Sequence, residues 1–405
     1  MNYDVYWIWM SCGLGPGASV LDLVSYFEWN PYEIYGASFN RIFTLDVLTK
    51  RQVEKLKSFP IEKAQQMYDA AIENGWKVVT PSSEYYPAQL LKLQNLPLVL
   101  YVDGDETILN DELMISVVGA RKASDYGSCV ARALSSAMAA IDFTIVSGGA
   151  LGIDSAAHKG ALDENGKTIC VLGCGFGTKY LMDNKPLRDK IVENGALITE
   201  FPPYHPASRV TFPLRNRIIS GMSLGTVVVE AGERSGSLIT ARLAIEQGKD
   251  VFAVPGDLVS SSFLGTNNLI RNGATPVFSP NDILESYHAK YFEKLGHKER
   301  FPDDEIIRRT QKYLLEKDSE PEALVKEEIK AEPVKKEVKA KKDAPSYLTA
   351  NAKKVYDFLD ENPKHIDEII NNCGMTTEKT LSAITELEIY GLVTQQSGRR
   401  YIINN

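Results

Sequence analysis

Thr144-Ile145-Val146-Ser147-Gly148-Gly149-Ala150-Leu151-Gly152-Ile153-Asp154-Ser155 is the stretch that decides the fold. Thr144–Ser147 has the β-branched composition of a short strand. Three glycines follow, and a helical pattern opens after Asp154. A strand that runs through a glycine turn into a helix is the first half of a βαβ unit. The same grammar extends in both directions along the chain. Strands are expected at 76–80, 97–102, 114–119, 144–147, 168–173, 196–200, 225–230, 250–254 and 275–278, with helices starting after Asp154, near Leu187, at Pro213 and near Ser237. Most of these runs are continuously apolar rather than alternating, as in strands buried on both faces of a parallel sheet. The expected fold class is therefore α/β, a doubly wound sheet over residues 75–290. Ligands in such sheets bind outside the carboxyl ends of the strands, where the glycine-rich segments fall.

The flanks read differently. Residues 1–70 show short helices and the turn Gly13-Leu14-Gly15-Pro16-Gly17-Ala18-Ser19, with Ser19 placed to cap the helix that follows. Turns of this kind occur both as plain helix connections and in small helical modules that touch a DNA backbone. Residues 300–345 include Val334-Lys335-Lys336-Glu337-Val338-Lys339-Ala340-Lys341-Lys342, charged and unable to bury a core, and are expected to be a disordered or partly helical linker. Residues 346–405 carry three apolar helix stripes (Val355, Phe358, Leu359; Ile366, Ile369, Ile370; Leu381, Ile384, Leu387, Ile389) and a two-strand wing around Ser397-Gly398, the pattern of a winged helix. Its third helix carries Glu378, Glu386 and Glu388 against Lys379, and Arg399 and Arg400 form its one basic cluster. That balance suits a duplex-DNA reader poorly, and a protein-contact or regulatory role fits it at least as well.

Composition narrows the classes. The 405 residues are 44% hydrophobic and 24% charged, with net charge −8. That argues against a surface that coats nucleic acid throughout and leaves room for a local basic groove. No apolar run reaches the roughly 18 residues of a membrane span, and Met1–Gly15 lacks a basic signal-peptide start. Cys12, Cys129, Cys170, Cys174 and Cys373 are dispersed, without a CxxC pair, which fits a reduced cytoplasm. The histidines show no zinc-ligand spacing, so neither metal nor cofactor is expected. No GxxxxGK[ST] or GxSxG occurs. Gly173-Cys174-Gly175-Phe176-Gly177 resembles a dinucleotide loop, but its last glycine is one position early.

Four segments remain as candidate sites. Gly119, Arg121 and Lys122 follow a strand, where glycine permits close backbone approach and arginine forks onto phosphate. Ser147, Gly148 and Gly149 lead to a helix N-terminus, which favours an anion, although Asp154 there would repel one. Arg209, Phe212, Pro213, Arg215, Asn216 and Arg217 combine three arginines with an aromatic ring at a helix start. That set suits stacking on an unpaired base and pairing with phosphates, and it equally suits an ion-pair network on Glu200 or Glu230. Ser235, Gly236 and Ser237 open another helix after Glu230, with a serine as expected cap.

Taken in order, Val118–Arg121, Ser147–Asp154 with Ala157-His158, Thr168–Gly175, Phe212–Ile219, Val229–Ala241, Val251–Gly256 and Leu269–Ala274 resemble the DNA-processing protein A family (DprA/Smf). The resemblance implies an extended Rossmann-like centre, a small helical (SAM/HhH-like) N-terminal domain and a C-terminal winged helix. It implies a non-enzymatic recombination mediator that binds single-stranded DNA, forms a homodimer and assists RecA loading on DNA taken up in transformation. The binding positions it implies are Arg121, Arg209, Phe212, Arg215 and Arg217, with Lys185 after the Tyr180–Asn184 segment, where the family's proline is absent. The dimer surface it implies includes Asn267, Ile270 and Arg271. The competing reading is an enzyme on a related fold that hydrolyses nucleoside monophosphates with a glutamate such as Glu230; the PGGxGTxxE signature of those enzymes is absent.

Overall fold

The structure is a computed structural model that describes residues 2–180, 182–319, 348–359, 364–389, 392–396 and 400–403. Each of the nine expected runs overlaps a strand: β1 (Lys77–Val79), β2 (Leu100–Gly104), β3 (Met114–Val118), β4 (Thr144–Ser147), β5 (Thr168–Val171), β6 (Gly195–Thr199), β7 (Gly225–Val228), β8 (Asp250–Ala253) and β9 (Thr275–Pro276). They form one sheet in the order β1-β2-β6-β5-β4-β3-β7-β8-β9. Every residue of β3 to β7 is buried, which is why those runs do not alternate. Pairing is parallel from β6 through to β9, while β1–β2 and β2–β6 are antiparallel. The order reverses about β3: β4 and β5 continue on one side, β7 and β8 on the other. The crevice at the carboxyl ends of β3 and β7 is thus the topological switch point.

Helices of the central region cover both faces. Packed on one are α7 (Asp125–Ala140), α8 (Ile153–Asp163) and α13 (Pro280–His288), which bury Leu134, Ala157 and Leu284 with Ile115 and Val227. On the other lie α10 (Thr211–Met222) and α11 (Ser237–Glu246), which bury Ile218 and Ala241 with Met114 and Val228. Helix α9 (Lys185–Asn194) packs over β5 and β6, and α12 (Leu264–Arg271) follows β8.

Residues 1–70 form α1 (Tyr3–Leu14), α2 (Leu21–Tyr26), α3 (Pro31–Gly36), α4 (Phe39–Phe43), α5 (Lys50–Ser58) and the start of α6 (Ile61–Glu73). They belong to the same compact unit as the sheet, Met1–Pro321. Two hydrogen bonds tie α1 to the segment after β1: Trp7 Nε1 donates to Ser82 Oγ (2.8 Å) and Thr80 Oγ1 to Asp4 Oδ1 (2.8 Å). Ser19 does not cap α2. Val20 is the N-cap and its aliphatic side chain has no atom to cap with; the Val20 and Leu21 N–H groups donate instead to the Gln94 carbonyl.

After α14 (Phe292–Leu295), the beginning of the expected linker is ordered as α15 (Glu305–Ser319). Its Tyr313 is buried against Cys129 and Ala133 of α7, and Arg132 lies 4.1 Å over the Tyr313 ring. Ile306, Tyr313 and Leu314 make one apolar face diluted by charges, which the composition hides. Residues 320–347, with the lysine-rich run, lie outside the described residues.

The second unit contains α16 (Ala350–Phe358), α17 (Ile366–Cys373) and α18 (Thr377–Ile389) with β10 (Lys364–His365), β11 (Val393–Gln396) and β12 (Arg400–Ile403) in the order β10-β12-β11. This is a winged helix, with a third short strand beyond the expected hairpin. Val355, Leu359, Ile369, Ile384 and Leu387 fill its core. Leu381, expected in the core, is exposed. Arg399 lies outside the described residues.

Candidate nucleic-acid groove

Three loops meet at the switch point. The Ala120 N–H donates to the Glu230 carbonyl (2.8 Å), and the Ile153 N–H donates to the Ala120 carbonyl (3.2 Å). Gly119 lies between them, where a Cβ would meet Ile153 Cγ1 at 2.5 Å and the Glu230 carbonyl oxygen at 2.9 Å. The Glu230 side chain holds the next residues: its carboxylate accepts from the Ser124 N–H (2.9 Å) and hydroxyl (2.7 Å). The Arg121–Lys122 tip is thereby fixed at its base, and both side chains are exposed.

This tip forms one wall of an open cavity of about 730 Å³. Arg121, Lys122, Arg209, Arg215 and Arg234 line it, with Asp154 as its one acid among the described residues. On a chain of net charge −8 this is a concentrated positive site. Arg121 lies 4.8 Å over the Phe212 ring, a cation–π contact. Tyr180 meets the Phe212 ring at 5.2 Å between centroids. Phe212 sits in the first turn of α10, which begins at Thr211, two residues before the expected start at Pro213; Ser208 and Thr211 bond reciprocally there.

The expected residues divide into groups. Gly119, Arg121, Lys122, Arg209, Phe212, Arg215, Asn216, Ser235, Gly236 and Ser237 line the cavity. Gly236, not a serine, is the N-cap of α11, and the Ser235 and Ser237 hydroxyls bond each other (2.8 Å). Ser147, Gly148 and Gly149 are not on the cavity lining. The Ser147 hydroxyl donates to the Val117 carbonyl (2.6 Å), and a Cβ on Gly148 would meet Arg215 Nη1 at 2.6 Å and Asp154 Oδ2 at 2.7 Å. The place for an anion at this turn is taken by Asp154. Burial pushes its carboxyl above the usual range, and the Arg215 charge opposes that rise. Arg215 itself is buried and donates to the Gly148 and Val171 carbonyls, so it charges the floor from beneath.

Arg217 corrects the sequence reading most clearly. Its guanidinium makes a two-pronged pair with Glu200, both bonds 2.6 Å, with side chains 2% and 3% exposed. It turns away from the cavity because positions 215 and 217 of a helix point about 200° apart. The Glu200 ion pair raised in the sequence reading is the true partner of this arginine. Lys185, at the start of α9, pairs with Asp189 (2.7 Å) outside the lining. Asn184 beside it is buried off the lining as well, donating to the Gly149 carbonyl (3.1 Å). Arg234, Ser261 and Ser262 also line the cavity and were not singled out. The position of Arg234 between Glu230 and Ser235–Ser237 was the available signal. At the expected dimer surface, the Asn267 amide is bonded to the Gly256 N–H and carbonyl (3.2 Å each), Ile270 is half-buried and Arg271 is exposed. Among the described residues no three His, Cys, Asp or Glu side chains are placed to hold a metal, and no helix is long and apolar enough to cross a membrane.

Residues 77–288 match the family described as DNA recombination-mediator protein A, and residues 339–399 match the DprA winged helix domain. The chain is 34% identical over 327 residues to protein Smf of Synechocystis, covering 80% of this chain and 79% of that one. It is 42% identical over 240 residues to protein Smf of Escherichia coli, covering 59% of this chain and 64% of the relative, so the match spans somewhat under two thirds of that protein. The solved structure of DNA processing protein A from Streptococcus pneumoniae superposes with a TM-score of 0.60 at 30% identity, over 70% of this chain and 98% of that one.

Proposed function

Since the chain belongs to the DNA recombination-mediator protein A family, we propose that it binds single-stranded DNA in the Arg121–Phe212 groove and passes the strand to a recombinase. The observation that carries this is the pairing of a basic rim with aromatic rings at the switch point. Arg121, Lys122, Arg209 and Arg234 neutralise backbone phosphates, and Phe212 with Tyr180 offers π-faces to unpaired bases. A duplex keeps its bases stacked inside and cannot present a face to a ring on the groove wall. On this reading the affinity comes from backbone charge and stacking, so sequence preference is small.

On this reading the protein works stoichiometrically in the cytoplasm. It acts as a homodimer through the α12 surface, with Ile270 and Arg271 free to meet a partner copy, and shields incoming strands and assists RecA loading during transformation. A nucleoside-monophosphate hydrolase needs a free glutamate at the strand end. Glu230 is buried, with its carboxylate held by Ser124, so nothing favours that alternative. The test is competition by unlabelled DNA against a labelled single-stranded oligonucleotide. Single strands of unrelated sequence displace it alike, and duplex of the same sequence does so poorly. Equal competition by duplex contradicts the reading.

A further inference from the structure

A second polar cavity, of about 720 Å³, opens further along the α10–α11 pair. One face of α11 serves both. Thr240 lines the first cavity, and Leu243 and Gln247 line the second. Seven residues of helix separate Thr240 from Gln247, roughly 10 Å. The second cavity draws lysines from three elements: Lys92 from the 3-10 turn Leu90–Lys92, Lys249 just before β8, and Lys290 after α13.

Among the described residues none of these lysines is within ion-pair distance of a carboxylate. Glu246 lines the cavity but pairs with Arg242 (3.5 Å), and Asp250 accepts from the Tyr287 hydroxyl (2.9 Å). Burial, then the Lys92 and Lys290 charges, lower the Lys249 ammonium to about 8, and the Asp250 charge opposes that fall. Complementing the C-terminal dipole of α11 does not account for them, because Lys249 Nζ bonds Gln89 Oε1 (2.5 Å) and the other two stand on different elements. Gln247 Nε2 donates to the Arg217 carbonyl (3.0 Å), which fixes its amide in the cavity wall. The Gly13–Ser19 turn supplies Gly17 and the uncommitted Ser19 to the rim.

We propose that this lysine cavity is a second phosphate site, which holds the backbone of the single strand as it leaves the groove. The proposal rests on the strand-binding reading of the first cavity. It gives the strand a direction along α11, toward the N-terminal helices.

The test compares wild type with a Lys92→Ala, Lys249→Ala, Lys290→Ala variant on single strands of about 4 and about 20 nucleotides, bracketing the roughly 4–16 typical of such sites. The expected result is unchanged affinity for the short strand, about tenfold or greater loss on the long one, and a salt slope reduced by about 2, for three phosphates. Equal loss at both lengths, or none at the longer, overturns the proposal. A Lys92→Ala, Lys290→Ala variant of the two exposed lysines repeats the comparison if the triple variant melts early. Arg121→Ala runs in parallel: loss at both lengths upholds the groove, and indifference at both means the groove reading has failed, independently of what the lysines do. Titration with deoxyadenosine monophosphate separates the sources of phosphate. Tight binding of the nucleotide that needs the lysines, without any length effect on strands, assigns the cavity to a small ligand and overturns the strand path.

Discussion

Two arginines of one expected binding set have opposite physical roles. Arg121 is exposed over Phe212, and Arg217 is sealed with Glu200. Removing one member of a buried pair strands the other charge and costs about 3–5 kcal/mol. Arg217→Ala is therefore expected to lower the urea unfolding free energy by that order, while Arg121→Ala changes it by less than about 0.5 kcal/mol. Equal effects of the two substitutions contradict the assignment. His158 offers a pH-dependent test. The Thr168 hydroxyl gives its proton to the Ile145 carbonyl, so His158 Nδ1 must donate to Thr168 Oγ1 (2.7 Å), and Nε2 is buried without a partner. Burial, with Arg215 nearby, depresses the imidazole to about 3. Between about 6.5 and 3 the unfolded chain takes up a proton that the folded one refuses. Stability from this group is thus full above about 6.5 and falls on acidification by about 1.4 kcal/mol per pH unit. Asp154, whose carboxyl is raised, tilts the other way at the acid end. The measurement is the difference between wild type and His158→Asn across this range: the variant shows the shallower acid loss, and identical slopes contradict the tautomer and burial assigned here.

At the scale of elements, the strand-turn-helix at Thr144–Ser155 shows why the sheet could be read from sequence and the site only in part. Strands buried on both faces write their burial into consecutive residues, so β3 to β7 were legible from local composition. The antiparallel edge β1–β2 was not, because pairing direction is a long-range property. Helix α7 is hidden in the sequence because its buried residues are mostly alanine and serine, and α15 because its apolar face is thinned by charge. Among site residues, Arg121, Arg209 and Phe212 were legible as a basic and aromatic set. The burial of Arg217 was not, since it depends on long-range packing against Glu200. The turn itself is testable. Gly152 has φ +81°, and a Cβ there would meet the Ala120 carbonyl oxygen at 2.3 Å and that of Arg121 at 2.6 Å. Gly152→Ala should cost about 1–3 kcal/mol in thermal or urea unfolding and displace the Arg121 tip, weakening strand binding as well. A variant that loses neither stability nor affinity contradicts the tight stitching of these loops.

The whole molecule separates its tasks. Met1–Pro321 is one compact unit in which the N-terminal helices are fastened to the sheet edge, and the winged helix forms another. Net charge is negative, yet five basic residues surround one groove, so affinity is local and electrostatic and must weaken with salt in proportion to the phosphates engaged. The most direct test is fluorescence anisotropy of a labelled single strand across a salt series, comparing wild type with Arg121→Ala, Arg209→Ala. The account predicts tight wild-type binding with a steep salt slope, and a variant that folds normally, binds much more weakly and has a slope lower by about 1.4, for two phosphates. Binding of equal strength and equal salt slope in the two proteins would contradict it.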